Sequence, residues 1–422
     1  MNPIIEIKEH FDAEKEIKGL SLDKPKKLSF LNKNCLEIEQ KGDEKFQIKA
    51  SYFIGIDWIT SEQAIYIAPK LNHNQGVIEI DYLKMLFSDI QNLDNQYLKN
   101  LFIIKFDEPL IPITQKQDLI TPLLLMQFLN IVKNIVRKGL KKSYYKIEEN
   151  LTSKVKGKIV MSQHIKQNVA KVKPLHHYCN YQQFGYNNLE NRLLKKTLIF
   201  ITRYLNNHKL PNSEQYFQEI FNFVNPAFLK VSDQIQLNDI KHSKLNPFFK
   251  EYDEAIRLAR IILQRFGYNI SNVDKQLIAT PPFWIDMSKL FELYVLGLLK
   301  KRFPKHNEVQ YHFGTYGNEL DFLLNTDTYK MVVDAKYKPK YLGSLIHEDM
   351  RQVSGYARLK KVYNTLQITD NQIISCLIIY PNQTEGLGDL DNIDLKSEKI
   401  NEYIEMYKLA IKLPTLSTNN ST

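Results

Sequence analysis

At 422 residues the chain is long enough for two or three domains, each with its own core, which excludes a peptide or a disulfide-stapled miniprotein. Apolar residues make up 43% and charged residues 25%, and 24 Tyr with 22 Phe are too many for a disordered chain. The net charge is +10, and Cys35, Cys179 and Cys376 lie far apart without CxxC or CxxH spacing, so neither a disulfide framework nor a structural zinc site is indicated.

In chain order, the first forty residues mix charges with little periodicity and read as peripheral; Glu6, Lys8 and Glu9 speak against a secretory leader. From Gln47 apolar and polar residues alternate to Trp58, and residues 64–69 follow after a polar turn, the pattern of a β-hairpin. Residues 81–90 have helical spacing, so 1–115 reads as an N-terminal, β-rich α+β module. Residues 121–140 read as a helix with Gly139 as its stop, 154–165 and 175–184 as β segments, and 188–206, 213–223 and 248–266 as helices. That makes 116–275 a basic, mainly helical middle region. After a polar connector at 271–282, Asp286 is placed to cap a helix running to about Arg302. Strands are expected at 308–313, 318–324 and 329–337, a helix at 347–362 and a buried strand at 373–380. This is a mixed sheet flanked by helices, a C-terminal domain over 276–412 followed by a tail, 413–422, read as disordered. The fold class is therefore α/β and α+β, multidomain. No apolar run reaches the roughly 20 residues of a membrane span, so a soluble, cytoplasmic protein with no membrane partner is expected. Trp58 and Trp284 read as packing anchors, and His176, His177 and Cys179 as ordinary strand residues.

Between residues 131 and 175, twelve Lys or Arg are set against only Glu148 and Glu149, so this segment carries the whole net charge. Such an excess fits a phosphate-binding surface, with a solvated basic face as the plainer alternative. Lys138, Lys141, Lys142, Lys154, Lys156 and Lys158 are the candidates for nucleic-acid contact; docking on an acidic partner is the other use of the same charge.

The chemistry concentrates in NELDFLL, from Asn318, and YKMVVDAKY, from Tyr329. Side chains alternate faces along a strand, so Glu319, Asp321 and Leu323 share one side of theirs, and Val332, Asp334 and Lys336 one side of the next. With residues 325–328 as the turn, 324 pairs with 329, which puts Asp321 opposite Val332 and diagonal to Asp334. Glu319 then rivals Asp321 for nearness to Asp334. Facing carboxylates repel unless one is protonated or a cation lies between them, so the pair calls for a hard divalent ion, Mg²⁺ or, in its place, Mn²⁺. Lys336 would project beside that ion, able to orient a water or stabilise charge on a phosphate, the chemistry of phosphodiester hydrolysis. Glu292 is the one charged residue of LFELYVLGLL, and on so apolar a helix it needs a cation, a shifted pKa or a rim position. Gln352 and Tyr356 lie four apart on one helical face, sixteen residues beyond Lys336.

These residues resemble the PD-(D/E)XK nuclease superfamily: Leu320-Asp321 stands where that superfamily has Pro-Asp, without the proline, and Asp334-Ala335-Lys336 is its (D/E)xK. Glu292 matches its acidic residue on the helix before the core sheet, and Gln352 and Tyr356 match the Q-x-x-x-Y element of RecB-like nucleases. The succession of IYIAPK from Ile65, VKGKI from Val155, NLENRLLK from Asn188, KLFELYV from Lys289, DAKYK from Asp334 and DMRQVSGYA from Asp349 resembles the McrC family, the nuclease subunits of McrBC modification-dependent restriction systems. The resemblance implies a restriction-endonuclease-like C-terminal domain that cuts double-stranded, modified DNA. Asp321, Asp334, the Ala335 carbonyl and Glu292 would serve Mg²⁺, with Lys336 catalytic and Gln352 and Tyr356 in support. It further implies an N-terminal β-rich region that engages a ring-forming AAA+ GTPase, McrB, which recognises the modified base. No G-x-x-x-x-G-K-[ST] loop is present, so this chain itself is expected to bind no nucleotide. Asn191 and Arg192 read as a helix cap or surface pair. Two other functions use the same features: a motor-independent RecB-like repair nuclease, and a non-catalytic adaptor that stimulates an AAA+ motor.

Overall fold

The computed structural model describes residues 4–69, 80, 82, 85, 101–105, 107–114, 120–207, 214–236, 250–271, 277–338 and 345–415. Most of the helix expected at 81–90 and the end of the expected tail lie outside these. The chain forms two compact units, one of Met1–Pro112 with Ala279–Thr422 and one of Ile113–Ile278.

The first unit starts with β1 (Ile5–Lys8), β2 (Asp12–Glu16), β3 (Lys26–Phe30), β4 (Lys33–Gly42), β5 (Lys45–Ala50), β6 (Phe53–Trp58), β7 (Ala64–Ala68) and β8 (Phe102–Ile104). The first forty residues are thus not peripheral. Strands β2, β5, β4 and β3 form an antiparallel sheet that buries Leu28, Phe30, Leu36, Ile38, Phe46 and Ile48 in one core. Register shifts at Leu28/Ser29 and Gln40/Gly42 break the alternation by which such strands are recognised in a sequence. β6 and β7 make the expected antiparallel hairpin, from Gly55↔Ile67 to Trp58↔Ala64.

The chain leaves this unit through β9 (Ile111–Thr114). The second unit holds α1 (Ile120–Lys138), β10 (Ser143–Thr152), β11 (Lys158–Ile159), β12 (His176–Gly185), α2 (Leu189–Asn207), α3 (Glu214–Val224) and α4 (Lys250–Ser271), with α4 packed on α1 and α2. β10 pairs with β12 over its whole length and β11 joins the other side of β12. The β segment expected at 154–165 is a strand only at Lys158–Ile159, and the chain turns helical from Met161. β10 escapes sequence reading because the polar SYYKIEENLT alternates only between exposed and half-buried positions for most of its length. Asn188 Oδ1 accepts the Asn191 N–H at 2.9 Å at the start of α2. Asn191 is buried: its amide donates to the Lys141 and Tyr186 carbonyls and accepts from Tyr252.

The chain re-enters the first unit through β13 (Leu277–Thr280), a strand where a connector was expected. The next strand, β14 (Phe283–Asp286), inserts between β6 and β8 to complete a sheet of order β1-β7-β6-β14-β8. Gly55 permits it, since a Cβ there would lie 2.0 Å from the Phe283 carbonyl oxygen. Trp284 is fully buried in the N-terminal core and donates its ring N–H to Asp57 Oδ2 at 2.7 Å; the Lys105 ammonium meets the same oxygen at 2.7 Å. Asp286 then caps α5 (Met287–Arg302), accepting the Lys289 N–H at 3.1 Å, and pairs with Lys33 at 2.9 Å.

α5 is buried on nearly every side. β15 (Val309–Thr315), β16 (Asn318–Asn325) and β17 (Lys330–Ala335) form an antiparallel meander, while β18 (Ser375–Pro381) runs parallel to β17 and β19 (Met406–Ile411) parallel to β18. Parallel neighbours need a crossover, and here it carries α6 (Leu345–Tyr356) and α7 (Lys360–Leu366) in place of the single expected helix. Met350, Val353, Val362 and Leu366 from this crossover share a core with Leu323, Val332, Cys376 and Ile378 of the sheet. Among the described residues no helix is long and apolar enough to cross a membrane.

Asp57 joins three segments at one buried carboxylate, so Asp57→Ala strands both a tryptophan N–H and an ammonium. The expected loss is about 3 kcal/mol in the denaturant-induced unfolding of the first unit; a loss under about 1 kcal/mol would show that the network contributes little.

Candidate active site

The register of the acidic strands differs from the sequence expectation. The turn between β16 and β17 is 326–329, closed by the Thr326 N–H on the Tyr329 carbonyl and the Tyr329 N–H on Thr326 Oγ1, each at 2.8 Å. Leu324 therefore pairs with Met331 and Leu323 with Val332, where the expectation paired 324 with 329. This frame, carried one step past Phe322↔Val333, sets Asp321 directly opposite Asp334. Alternation also slips on the other side: Leu320 and Leu323, three residues apart, enter the same apolar cluster. The β15–β16 ladder pairs Tyr311 with Phe322 and Phe313 with Leu320 but skips His312 and Asp321. His312 has φ +52°, a conformation that costs a non-glycine residue about 1–3 kcal/mol and persists where surrounding contacts demand it.

Asp321 Oδ2 accepts the Ala335 N–H at 2.9 Å, which fixes one acidic side chain against the backbone beside the other. Asp334 is 2% exposed, and its Oδ2 lies 3.0 Å from the Lys336 ammonium yet receives no well-directed hydrogen bond. Lys336 also donates to Gln352 Oε1 at 3.1 Å, and Gln352 in turn donates to the Tyr356 hydroxyl at 2.8 Å. The sequence-paired residues of α6 thus meet Lys336, one residue past the end of β17. Tyr337, the residue after this lysine, is buried and donates to Glu9 Oε1 at 2.9 Å, and Lys338 pairs with Asp349 at 2.7 Å.

Burial, then the charge of Asp334, then that of Glu292 push the Asp321 carboxyl up to about 8, against the Ala335 N–H and Lys336. Asp334 is likewise raised, by burial above all, with Lys336 opposing. Burial works against the charge of Lys336, but Asp334, Asp321 and Asp349 together outweigh it and its ammonium is held more firmly than usual. The pocket is short of positive charge even with its lysine in place.

The charge of Glu292 reaches both aspartates, while its carboxylate meets a histidine. Its Oε1 lies 2.7 Å from His312 Nε2, and the other ring nitrogen, Nδ1, lies 2.9 Å from Glu319 Oε1. Glu319, the sequence rival of Asp321, is 61% exposed and stands on the outer side of this bridge. His312 went unnoticed in sequence reading because a single histidine on a strand carries no signal. Among the described residues no three His, Cys, Asp or Glu side chains converge as a ready metal cage. Two adjacent carboxylates with an under-bonded oxygen still suit Mg²⁺, which commonly takes only one or two protein carboxylates and fills its shell with water and phosphate oxygens.

In the second unit, Lys138 is bonded to Glu251, and Lys141 to Glu190 at 2.8 Å with both side chains 13% exposed. Lys142 lies over the Tyr186 ring and Lys156 over Tyr181, while Lys154, Lys156 and Lys158 are exposed. Two of the six lysines proposed for nucleic acid are therefore committed to acidic partners within their own unit.

Residues 48–381 match the family described as McrBC 5-methylcytosine restriction system component; the chain belongs to that family. Its succession of short motifs is McrC-like. No curated protein matches it. Among solved structures, the refined half-complex from a tetradecameric assembly of Thermococcus gammatolerans McrB AAA+ hexamers with bound McrC is similar at 15% identity, covering 91% of this chain and 82% of that one, with a TM-score of 0.36. The cryo-EM structure of the Thermococcus gammatolerans McrBC complex is similar at 14% identity, covering 72% of this chain and 90% of that one, with a TM-score of 0.29.

Because Asp321 binds its proton more tightly folded than unfolded, its ionisation opposes folding: stability falls as pH rises from the ordinary carboxylate value, about 4, through about 8. In chelator, the denaturation midpoint of the first unit should drop across that window. Asp321→Asn should flatten the drop, and Mg²⁺ should reduce it; a pH-independent midpoint in the wild type would contradict the electrostatics described.

Proposed function

We propose that this chain is the McrC-type DNA endonuclease subunit of a modification-dependent restriction system. It is a cytoplasmic PD-(D/E)XK enzyme that hydrolyses phosphodiesters in double-stranded, modified DNA when coupled to an McrB-like AAA+ GTPase hexamer. The observation that carries the reading is the convergence, in a member of the McrBC family, of Asp321 on the Ala335 N–H with Asp334 on Lys336. Two acids on neighbouring strands of a mixed sheet, with a lysine just past the end of one of them, support the nuclease assignment over a plain structural ion pair, since a structural pair would be charge-balanced. The lack of a phosphate loop supports nucleotide hydrolysis in trans.

Asp321, Asp334 and the Ala335 carbonyl would hold Mg²⁺, with Glu292 at the margin. The ion would supply positive charge to the scissile phosphate and acidify a water. The chain's own part is positioning. Asp334 and Gln352 restrain the Lys336 ammonium from two sides, so it meets the negative charge that grows on the phosphate without first having to be ordered. Tyr356 steadies Gln352, and the Ala335 N–H keeps Asp321 facing Asp334. In the second unit Val155, Met161, Ile165, Val169, Val172 and Leu175 are exposed among the lysines, and this mixed apolar and basic surface supports docking on the motor there.

The test uses the chain assembled with the AAA+ GTPase of its own system. Lys336→Ala and Asp334→Ala should still stimulate GTP hydrolysis while DNA cleavage falls by at least about 10³-fold. Cleavage at wild-type rates would reject the site. Metal-dependent cutting by this chain alone would favour the motor-independent repair nuclease instead.

A further inference from the structure

His312 is the side chain around the acidic pocket whose geometry the proposed function leaves unexplained. It sits in β15 in a left-handed conformation, at the one step where the β15–β16 ladder between Tyr311 and Phe313 is missing. Each ring nitrogen faces a different carboxylate: Nε2 is 2.7 Å from Glu292 on α5, and Nδ1 is 2.9 Å from Glu319 on β16. The ring stands between the two carboxylates, within hydrogen-bond distance of each, so one side chain links a helix and two strands through a single line of polar atoms. The ring is also packed 3.9 Å, centroid to centroid, from that of Tyr311, which limits its rotation. The charge of Glu292 in turn reaches Asp321, Asp334 and Tyr311. A histidine held by an exposed acid on one side, by a pocket acid on the other and by an aromatic neighbour has the form of an outer-shell orienter.

We infer that His312 is a positioning residue of the nuclease site: braced by Glu319, it sets the direction of the Glu292 carboxylate and thereby how firmly the acidic pocket takes up a divalent cation. This rests on the proposed metal site. His312 touches neither DNA nor ion; it acts through Glu292. The bridge explains why a strained backbone is tolerated at this position, because relaxing His312 into the regular ladder would withdraw the ring from both acids. It also gives Glu319 a role distinct from that of a rival ligand to Asp321.

The experiment measures Mg²⁺ dependence in two ways: the rise in melting temperature of the full chain with added Mg²⁺, and DNA cleavage by the complex with its GTPase. In His312→Ala the Mg²⁺ concentration for half effect should rise about 10- to 100-fold in both measurements, with partner GTPase stimulation unchanged. His312→Gln, which keeps one donor, should recover part of that shift. In a Glu292→Gln background His312→Ala should add less than about 3-fold, since the two act as one unit. Should His312→Ala fold poorly, Glu319→Gln loosens the brace from its exposed end and should move the Mg²⁺ midpoint in the same direction. An unchanged midpoint in these variants, or losses that multiply in the double variant, would overturn the inference. Asp334→Ala run in parallel separates the two levels: if it keeps both the thermal response to Mg²⁺ and cleavage, the metal site itself fails, whatever His312 does.

Discussion

Two carboxylates side by side on buried strands repel each other, and the C-terminal sheet is organised around containing that repulsion. Asp321 and Asp334 stand opposite one another in the frame set by the 326–329 turn, and the chain brings one ammonium and one backbone N–H to them, less than two buried negative charges require. The deficit makes the arrangement costly as a stabilising device and well suited to a cation. The surrounding side chains follow from it. Gln352 and Tyr356 keep Lys336 from swinging to solvent, and His312 meets the Glu292 carboxylate at 2.7 Å.

The containment extends into the N-terminal half of the same unit. Tyr337, directly after the lysine, is fastened to Glu9 beyond the end of β1, and Asp286, which caps the helix carrying Glu292, is paired with Lys33 of β4. The segments that flank the acidic residues are therefore anchored to strands hundreds of residues away in the chain. What sequence order presents as a separate N-terminal module and C-terminal domain shares one compact unit.

Much of the site was legible because its signals are local. Asp334 and Lys336 lie two apart at the end of β17, Gln352 and Tyr356 share a helical turn, and Asp286 announces the start of α5; each depends on spacing within a short segment. Relations between elements were harder. The frame of β16 and β17 depended on which residues close the turn, and a one-residue difference in its placement moved Asp321 by two positions relative to its neighbour. The bridge from Glu292 to Glu319 was hidden because it joins three elements through a residue with no sequence signature. The N-terminal sheet was hidden because two bulges interrupt its alternation, and β14 because its partners are far away in the chain.

The insertion of β14 beside β6 has a consequence for biosynthesis. The two strands are separated by more than two hundred residues, so at roughly 5–20 residues per second β6 waits on the order of 10–45 s after it is made before its neighbour is translated. During that interval its hydrogen-bonding edge is open and Asp57 lacks the Trp284 indole. A ribosome that stops early leaves the first sheet unfinished, whatever the middle of the chain has achieved. Completion of the first sheet is in this way made contingent on translation having passed Asp286.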